Sequence, residues 1–156
     1  MTLFLECRPD ETLARALGVP RRAIVHSHSK GAVSKNLGKK TSARGLVDED
    51  PGSSEPTTLR RFTEVSAAHD LKLKEDRARN NTLVVVCPRL EDWIIKTAKA
   101  ANVKLERFNL SENPLELHAD INQRLTNLAR LLETLLEAKS PRLLHLKSLL
   151  PTCEAG

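Results

Sequence analysis

Carboxylates end two apolar segments that lie far apart in the sequence. Glu6 follows the first segment, Leu3–Leu5, and Asp48 and Asp50 follow the second, Gly45–Val47. In an open α/β sheet the ligand site lies at the carboxyl ends of the strands, so two such strand ends would bring these side chains together. Carboxylate oxygens are the ligands that Mg²⁺ and Mn²⁺ prefer. The pattern therefore predicts a divalent-metal site formed by Glu6, Asp48 and Asp50.

The spacing of the second group decides which of its acids share a face. Alternate residues of an extended chain lie on the same side, so Asp48 and Asp50 point together and Glu49 points away. Each acid also has a simpler explanation, because Glu6 could be a solvated strand end and the aspartates could form a turn before Pro51. Their joint occurrence within one α/β pattern favours the metal site, from which we exclude Glu49.

The elements around these acids alternate between strand and helix. Strands are predicted at residues 2–6, 23–27 and 46–48, with short helices between them. The unbroken apolar run at 82–87 predicts a buried central strand parallel to the first. Together these patterns predict an α/β fold, with a parallel sheet flanked by helices and joined by right-handed crossovers.

Four other segments carry weaker patterns. Helical spacing of apolar residues predicts a helix over 58–67 and another over 89–101. Residues 69–74 are predicted to form a short edge strand. Residues 103–108 are predicted to form a last, peripheral strand. We expect the α/β domain to cover residues 1–110.

The segment 111–156 is predicted to be a helical extension. Asn113 and Pro114 are typical of a helix start, and the helix is predicted to run to about residue 138. A short helix is predicted to start at Pro141. Apolar residues alternate in steps of four and three, as in a heptad seam: Ile121, Leu125, Leu128, Leu132 and Leu135. This seam docks either on the sheet of its own chain or on a partner, including a second copy in a homo-oligomer.

Composition indicates a globular chain with a mild preference for anionic partners. The 156 residues are 40% hydrophobic and 29% charged, with a formal net charge of +5. That charge favours partners such as DNA or RNA. No zinc-type cysteine spacing, signal peptide or apolar stretch of the ~20 residues that span a bilayer is visible. We therefore expect a cytoplasmic protein without a membrane partner.

The acidic motifs resemble those of the Toprim domain, which topoisomerases, bacterial primases and OLD-type nucleases share. The resemblance rests on Leu5-Glu6 and on the run from Val47 to Gly52, and it covers roughly residues 2–101. The segment 88–93, with Glu91 before Trp93, is similar to one in small stand-alone Toprim-like proteins. Many Toprim domains have Gly where this chain has Cys7. The resemblance implies that Glu6, Asp48 and Asp50 hold one or two Mg²⁺ or Mn²⁺ ions.

Several further residues are candidates for the same site. Lys30 follows the second strand and could stabilise charge on a phosphate during catalysis, although an exposed lysine at a helix start would look the same. Glu91 is a candidate for a second metal ligand or for a residue that orients the ligands, and it also suits the dipole of the helix it begins. Arg8, His28 and Arg89 are candidates for phosphate binding.

The function implied by the resemblance is metal-dependent hydrolysis of phosphodiester bonds in DNA or RNA. In this hypothesis the metal activates water, and Glu6 also relays a proton. The alternative is a non-catalytic Toprim-like subunit whose helical tail docks on a partner, such as the ATPase of a two-gene defence system. Hydrolysis of a small phosphate ester is a third hypothesis.

Overall fold

The computed structural model describes residues 1–152, so Cys153 lies outside the described part of the chain. The strands are β1 (Leu3–Leu5), β2 (Ile24–His26), β3 (Arg44–Asp48), β4 (Thr63–Ala68), β5 (Leu71–Asp76) and β6 (Asn81–Val86). The α-helices are α1 (Arg8–Ala16), α2 (Lys30–Lys39), α3 (Leu90–Ala100), α4 (Pro114–Gln123), α5 (Leu125–Glu137) and α6 (Pro141–Leu149). Within residues 1–152, no helix is long and apolar enough to cross a membrane.

The strands form one six-stranded sheet in the order β2-β1-β3-β6-β5-β4. The first four of these are parallel, and β5 and β4 add an antiparallel hairpin at one side. The predicted α/β fold with a mostly parallel sheet is therefore confirmed. The chain passes from β1 to β2 on one side and then to β3 on the other. This reversal creates a crevice at the carboxyl ends of β1 and β3.

Helices cover both faces of the sheet. The side chains of β1 alternate, with Leu3 and Leu5 in the core beneath α1 and Phe4 in the smaller core beneath α2. A Cβ atom at Gly45 would lie 2.9 Å from Leu37 of α2, so this glycine allows the helix and the sheet to approach closely. The predicted central strand, β6, is buried and lies between β3 and β5.

The C-terminal helices share the larger core with the α/β part. Ile121, Leu128, Leu132 and Leu135 are at most 1% exposed and belong to the same cluster as Leu3 of β1. Four of the five seam residues are thus core residues of this chain, as the first of our two alternatives predicts. Leu125 is the exception, since it is only half-buried.

The prediction of one long helix from Pro114 to residue 138 is wrong in one respect, because the structure has two helices that are separated at Arg124. That residue has φ −126° and ψ 60°, which ends α4, and α5 begins at the next residue. The Arg124 guanidinium donates a hydrogen bond to the carbonyl oxygen of Asn109 at 2.9 Å. The break lets Ile121 and Leu128 bury their side chains in the same core while they belong to two separate helices.

Three other predictions of local structure are wrong. Residues 58–67 do not form a helix, because only Thr57–Arg61 forms a 3₁₀ turn and β4 then pairs with β5. Residues 69–74 were expected at the sheet edge, but β5 lies one strand inside it and β4 is the edge. Residues 103–108 do not form a strand. Leu105–Phe108 is a 3₁₀ helix, whose three-residue turn buries both of its end residues.

Candidate functional site

A pocket of about 560 Å³ opens at the carboxyl ends of β1 and β3, where the crevice lies. We call it the acidic pocket. The side chains that line it come from these strand ends, from the beginnings of α2 and α3, and from α4: Glu6, Ser29, Lys30, Gly31, Asp48, Asp50, Ser53, Ser54, Pro56, Arg89, Glu91 and His118. The structure thus brings together Glu6, Asp48 and Asp50, the three residues predicted to bind metal.

Asp48 ends β3 and points toward the first turn of α3. Its Oδ2 atom accepts a hydrogen bond from the backbone N–H of Leu90 at 3.2 Å. Burial raises the pKa of Asp48 to about 8, and the negative charges of Asp10, Glu6 and Glu91 add to the increase. The helix amide opposes this effect without cancelling it. Asp48 is therefore a carboxylate held where its negative charge is poorly stabilised.

Glu6 and Asp10 belong to the same charge cluster. Burial raises the pKa of Glu6 to about 7, with Asp10 adding to the increase and Lys30 opposing it. Burial likewise raises the pKa of Asp10 to about 6. Asp10 is 4% exposed, and it accepts hydrogen bonds from the Cys7 backbone N–H at 3.3 Å and from the Cys7 thiol at 3.1 Å.

Sequence analysis gave Asp10 no part in the site. Asp10 is the third residue after the N-cap, Cys7, in a capping box. The sequence signal for this motif was weak, because the motif usually has Ser or Thr and Glu or Gln at these two positions. A side chain in that position turns back toward the end of β1. The thiol of Cys7 is a poor nucleophile, since burial raises its pKa well above the ordinary range.

Asp50 differs from the other predicted ligands because it is already paired. Its Oδ1 atom lies 3.2 Å from Nε of Arg89, and both side chains are about half exposed. Its backbone has φ +48°, in the left-handed region, where the chain turns after β3. Arg89 lines the acidic pocket as predicted for a phosphate-binding residue, and its present partner is Asp50.

Lys30 also lines the acidic pocket, and its ammonium group is close to the turn after β3. Nζ of Lys30 donates a hydrogen bond to the backbone carbonyl oxygen of Glu49 at 2.9 Å. The Glu49 side chain is directed elsewhere, with Oε2 at 2.9 Å from Nζ of Lys72. This direction of the Glu49 side chain agrees with its exclusion from the predicted metal site.

His118 is a pocket residue that sequence analysis missed. Its Nδ1 atom lies 2.7 Å from Oε1 of Glu91, which is buried, while the imidazole itself is largely exposed. Glu91 thus orients a histidine at the rim of the pocket. The two residues are 27 positions apart, and His118 belongs to a helix predicted only to dock, so no local pattern indicated their contact.

Two predicted phosphate-binding residues lie outside the residues that line the acidic pocket. Arg8 lines a separate groove between α1 and α5. His28 is exposed, and its ring centroid lies 6.2 Å from that of His26. His26 in turn is 2.5 Å from Oε2 of Glu11. Arg8 and His28 were predicted from their positions along the chain alone, and such positions do not determine the direction of a side chain.

The acidic pocket has the donor atoms of a magnesium site without a preformed ligand set. Within residues 1–152, no three His, Cys, Asp or Glu side chains are arranged so that they could hold a metal ion together. Asp48 is directed to Leu90 and Asp50 to Arg89. The residues nevertheless fit the ion in kind, because all are oxygen donors, and because Glu6, Asp48 and Asp10 have raised pKa values that a divalent cation would lower.

Comparisons with protein-family models, with curated proteins and with solved structures find no match to this chain. Membership of the Toprim family therefore stays a prediction that rests on the motifs around Glu6, Asp48 and Asp50.

Proposed function

We propose that the chain hydrolyses phosphodiester bonds in DNA or RNA at the acidic pocket, with Mg²⁺ or Mn²⁺, in the cytoplasm. The observation that carries this proposal is that Glu6, Asp48 and Asp50, which come from two strand ends more than 40 positions apart, line one pocket with Lys30 and Arg89. Carboxylates would hold the metal and cations would hold the phosphate. The two kinds of group are needed together for this chemistry.

The electrostatics of the pocket support a role for a cation. Glu6, Asp10 and Asp48 form no ion pair within residues 1–152. Burial and mutual repulsion disfavour their charged forms. In our proposal, Glu6, Asp48 and Asp50 would hold the metal. When bound, it would supply an activated water and offset negative charge on the scissile phosphate.

The remaining pocket residues have roles that follow from their positions. Lys30 and Arg89 would bind the non-bridging oxygens of the phosphate, and binding would release Arg89 from Asp50. Glu6 would also accept a proton from the attacking water. Nε2 of His118 would face the rim of the pocket, because Nδ1 is held by Glu91. As an imidazolium, His118 would donate the proton on Nε2 to the leaving oxygen and become neutral.

A nuclease assay with a matched pair of variants tests this proposal. The wild-type protein should cleave single- or double-stranded DNA or RNA with Mg²⁺ or Mn²⁺ and should be inactive with EDTA. Asp48→Asn should lose at least the roughly 100-fold that disturbing a metal site costs. Glu49→Gln is the control, because Glu49 is the adjacent acid and its side chain pairs with Lys72. Equal activity in the two variants would refute the assignment of the site.

A second candidate function is the non-catalytic subunit with an ATPase partner. The observation that favours it is the pairing of Asp50 with Arg89, together with the lack of a preformed ligand group in the described residues. In that case the wild-type protein would be inactive with every metal and substrate tested. The acidic pocket would then serve to maintain the fold or to contact the partner.

A further inference from the structure

A groove of about 720 Å³ runs between α1 and α5, apart from the residues that bind metal in our proposal. We call it the arginine groove. Its rim and floor are formed by Arg8, Glu11, Thr12, Arg15, Ala16, Arg21, Leu125, Thr126, Ala129, Glu133 and Leu136. It is larger than the acidic pocket, and the proposed hydrolysis gives it no role.

The rim of the arginine groove carries positive charge that the chain does not balance. Arg8, Arg15 and Arg21 are exposed, and none of them forms an ion pair within residues 1–152. The groove also holds two acids, which are Glu133 and Glu11, whose carboxylate is hydrogen-bonded to His26. Three guanidinium groups therefore face the groove with two carboxylates, which leaves an excess of positive charge. Such a rim favours an acidic occupant.

The floor of the groove is apolar. Leu125, Ala129 and Leu136 occur at positions of α5 separated by four and seven residues, so they share one face of the helix. They lie on the same apolar face of α5 as Leu128 and Leu132, which are buried in the core, and Leu136 packs partly against that core. Leu125, Ala129 and Leu136 thus form the outer edge of this face, an apolar stripe that is only partly covered. A polyphosphate chain would satisfy the arginines and leave this stripe exposed.

The same chain has a surface with the complementary chemistry. Leu115, at the beginning of α4, is 85% exposed, the highest value among its large hydrophobic side chains in residues 1–152. Glu112 and Glu116 lie beside it and are also exposed. The buried residues of α4, Leu117 and Ile121, lie on the other face of the helix. Glu116 accepts a hydrogen bond from the Ser111 hydroxyl at 2.7 Å, but neither glutamate forms an ion pair within residues 1–152.

We propose that the arginine groove binds the beginning of α4 from a second copy of this chain. Leu115 would lie on the stripe formed by Leu125 and Leu136, and Glu112 and Glu116 would meet Arg15 and Arg21. Because α4 packs beside both α1 and α5, the groove and the inserting surface are neighbours on one molecule. Two copies can therefore exchange the contact about a twofold axis, which closes the assembly as a dimer.

Charge reversal tests the proposed dimer. Light scattering and sedimentation should show a concentration-dependent dimer for the wild type, in a series that reaches about 1 mM. The groove variant Arg15→Glu/Arg21→Glu and the surface variant Glu112→Arg/Glu116→Arg should each weaken association at least about tenfold, because each makes the contact repulsive. Circular dichroism would verify folding, which is expected to be intact because all four positions are exposed.

Mixing the two variants gives the decisive result. Each groove then meets an inserting surface of opposite charge in both halves of the dimer, so a one-to-one heterodimer should form. A wild-type chain that is monomeric throughout the series overturns the proposal, as does a dimer that both variants retain. A monomeric wild type that binds a single-stranded oligonucleotide, and loses binding in Arg15→Glu/Arg21→Glu, would instead assign the groove to nucleic acid. None of the substituted residues lies in the acidic pocket, so failure here would leave the proposed hydrolysis intact.

Discussion

Two clusters of charged side chains in this fold have opposite electrostatic balance. In the acidic pocket, Glu6 and Asp48 are desolvated without an ion-pair partner in the described residues. At the turn between β4 and β5, Asp70 lies 2.9 Å from Nη1 of Arg142 and 2.8 Å from Nζ of Lys96. These two hydrogen-bonded cations lower the pKa of Asp70, whereas burial raises the pKa of Asp48.

The cluster of Asp70, Lys96 and Arg142, which we call the balanced cluster, has an evident structural role. Arg142, which is buried, donates from Nε to Oγ1 of Thr97 at 2.8 Å, and its guanidinium lies 5.1 Å from the ring centre of Trp93. It thereby ties α6 to α3 and to the β4–β5 turn. In the acidic pocket Asp50 pairs with Arg89 and Glu91 with His118, but Glu6 and Asp48 form no ion pair within residues 1–152. The compensated charges of Arg142 and Asp70 thus stabilise the fold, whereas in our proposal the uncompensated charges of Glu6 and Asp48 serve to bind a metal ion.

The largest stability effect should come from the balanced cluster. Arg142→Met should lower the free energy of unfolding by about 2–3 kcal/mol, because it removes hydrogen bonds to Asp70 and Thr97 in a buried setting. This loss of free energy should be smaller than the loss from breaking a fully buried ion pair, since Lys96 still contacts Asp70 in the variant. Lys147→Met on the exposed side of α6 is the control, with a change of about 0.5 kcal/mol or less. Urea unfolding measures both variants, and equal effects would contradict this role.

Removal of a charged side chain from the acidic pocket should instead raise the free energy of unfolding. In metal-free protein at pH 8, Asp48→Asn should raise the free energy of unfolding by roughly 1–2 kcal/mol, because it removes a buried charge. The asparagine oxygen can still accept the hydrogen bond from Leu90. Destabilisation by this substitution would show that Asp48 is a structural residue, like Asp70. Urea unfolding in EDTA provides the measurement.

The pH dependence of stability should follow from the same charges. The folded-state pKa values of Asp10, Glu6 and Asp48 are about 6, 7 and 8, above their ordinary values near 4. The folded chain then binds more protons than the unfolded chain between about pH 4 and pH 8, so stability should fall as pH rises through that range. Melting temperatures in EDTA should decrease from pH 5 to pH 8, and Asp48→Asn should show a smaller decrease. A melting temperature that rises with pH would contradict the raised pKa values.

The smallest effect on stability is expected at Asp50. Its pair with Arg89 is about half exposed, and such pairs contribute about 0–1 kcal/mol. Asp50→Asn should therefore change the melting temperature little, while it weakens metal binding if Asp50 is a ligand. A large loss of stability would show that the turn after β3 depends on this contact. Arg89→Gln separates the two roles, since it breaks the pair and leaves the carboxylate.

The sequence contained enough information for the strands that position the pocket. The short apolar runs of β1 and β3 and the longer run of β6 have the pattern of buried parallel strands, and the acids that follow Leu5 and Val47 mark their carboxyl ends. The position of Asp10 was not predicted, because Cys7 and Asp10 stand where a capping box usually has Ser or Thr and Glu or Gln. In residues 58–67 the apolar spacing was compatible with both a helix and a strand. Pairing of β4 with β5 in the folded chain selects the strand, and a local sequence pattern does not predict that pairing.

Other features of the pocket depend on contacts between distant segments. The approach of His118 to Glu91 follows from how α4 docks, and the break at Arg124 is accompanied by a hydrogen bond to Asn109, 15 positions earlier. Asp50, which pairs with Arg89, has a left-handed backbone conformation. The sequence Asp48-Glu49-Asp50 does not predict that conformation. These features set the side-chain directions in the pocket, and direction is what a spacing argument predicts least well.

Calorimetric titration of the metal-free protein with Mn²⁺ tests the central claim most directly, because it measures ion binding without assuming a substrate. We predict saturable binding at one or two sites in the wild type and in Glu49→Gln, with release of protons at pH 7 as Glu6 and Asp48 lose them to accept the ion. Asp48→Asn should lose most of this affinity. Absence of saturable binding in the wild type, or equal affinity in Asp48→Asn and Glu49→Gln, would contradict the account.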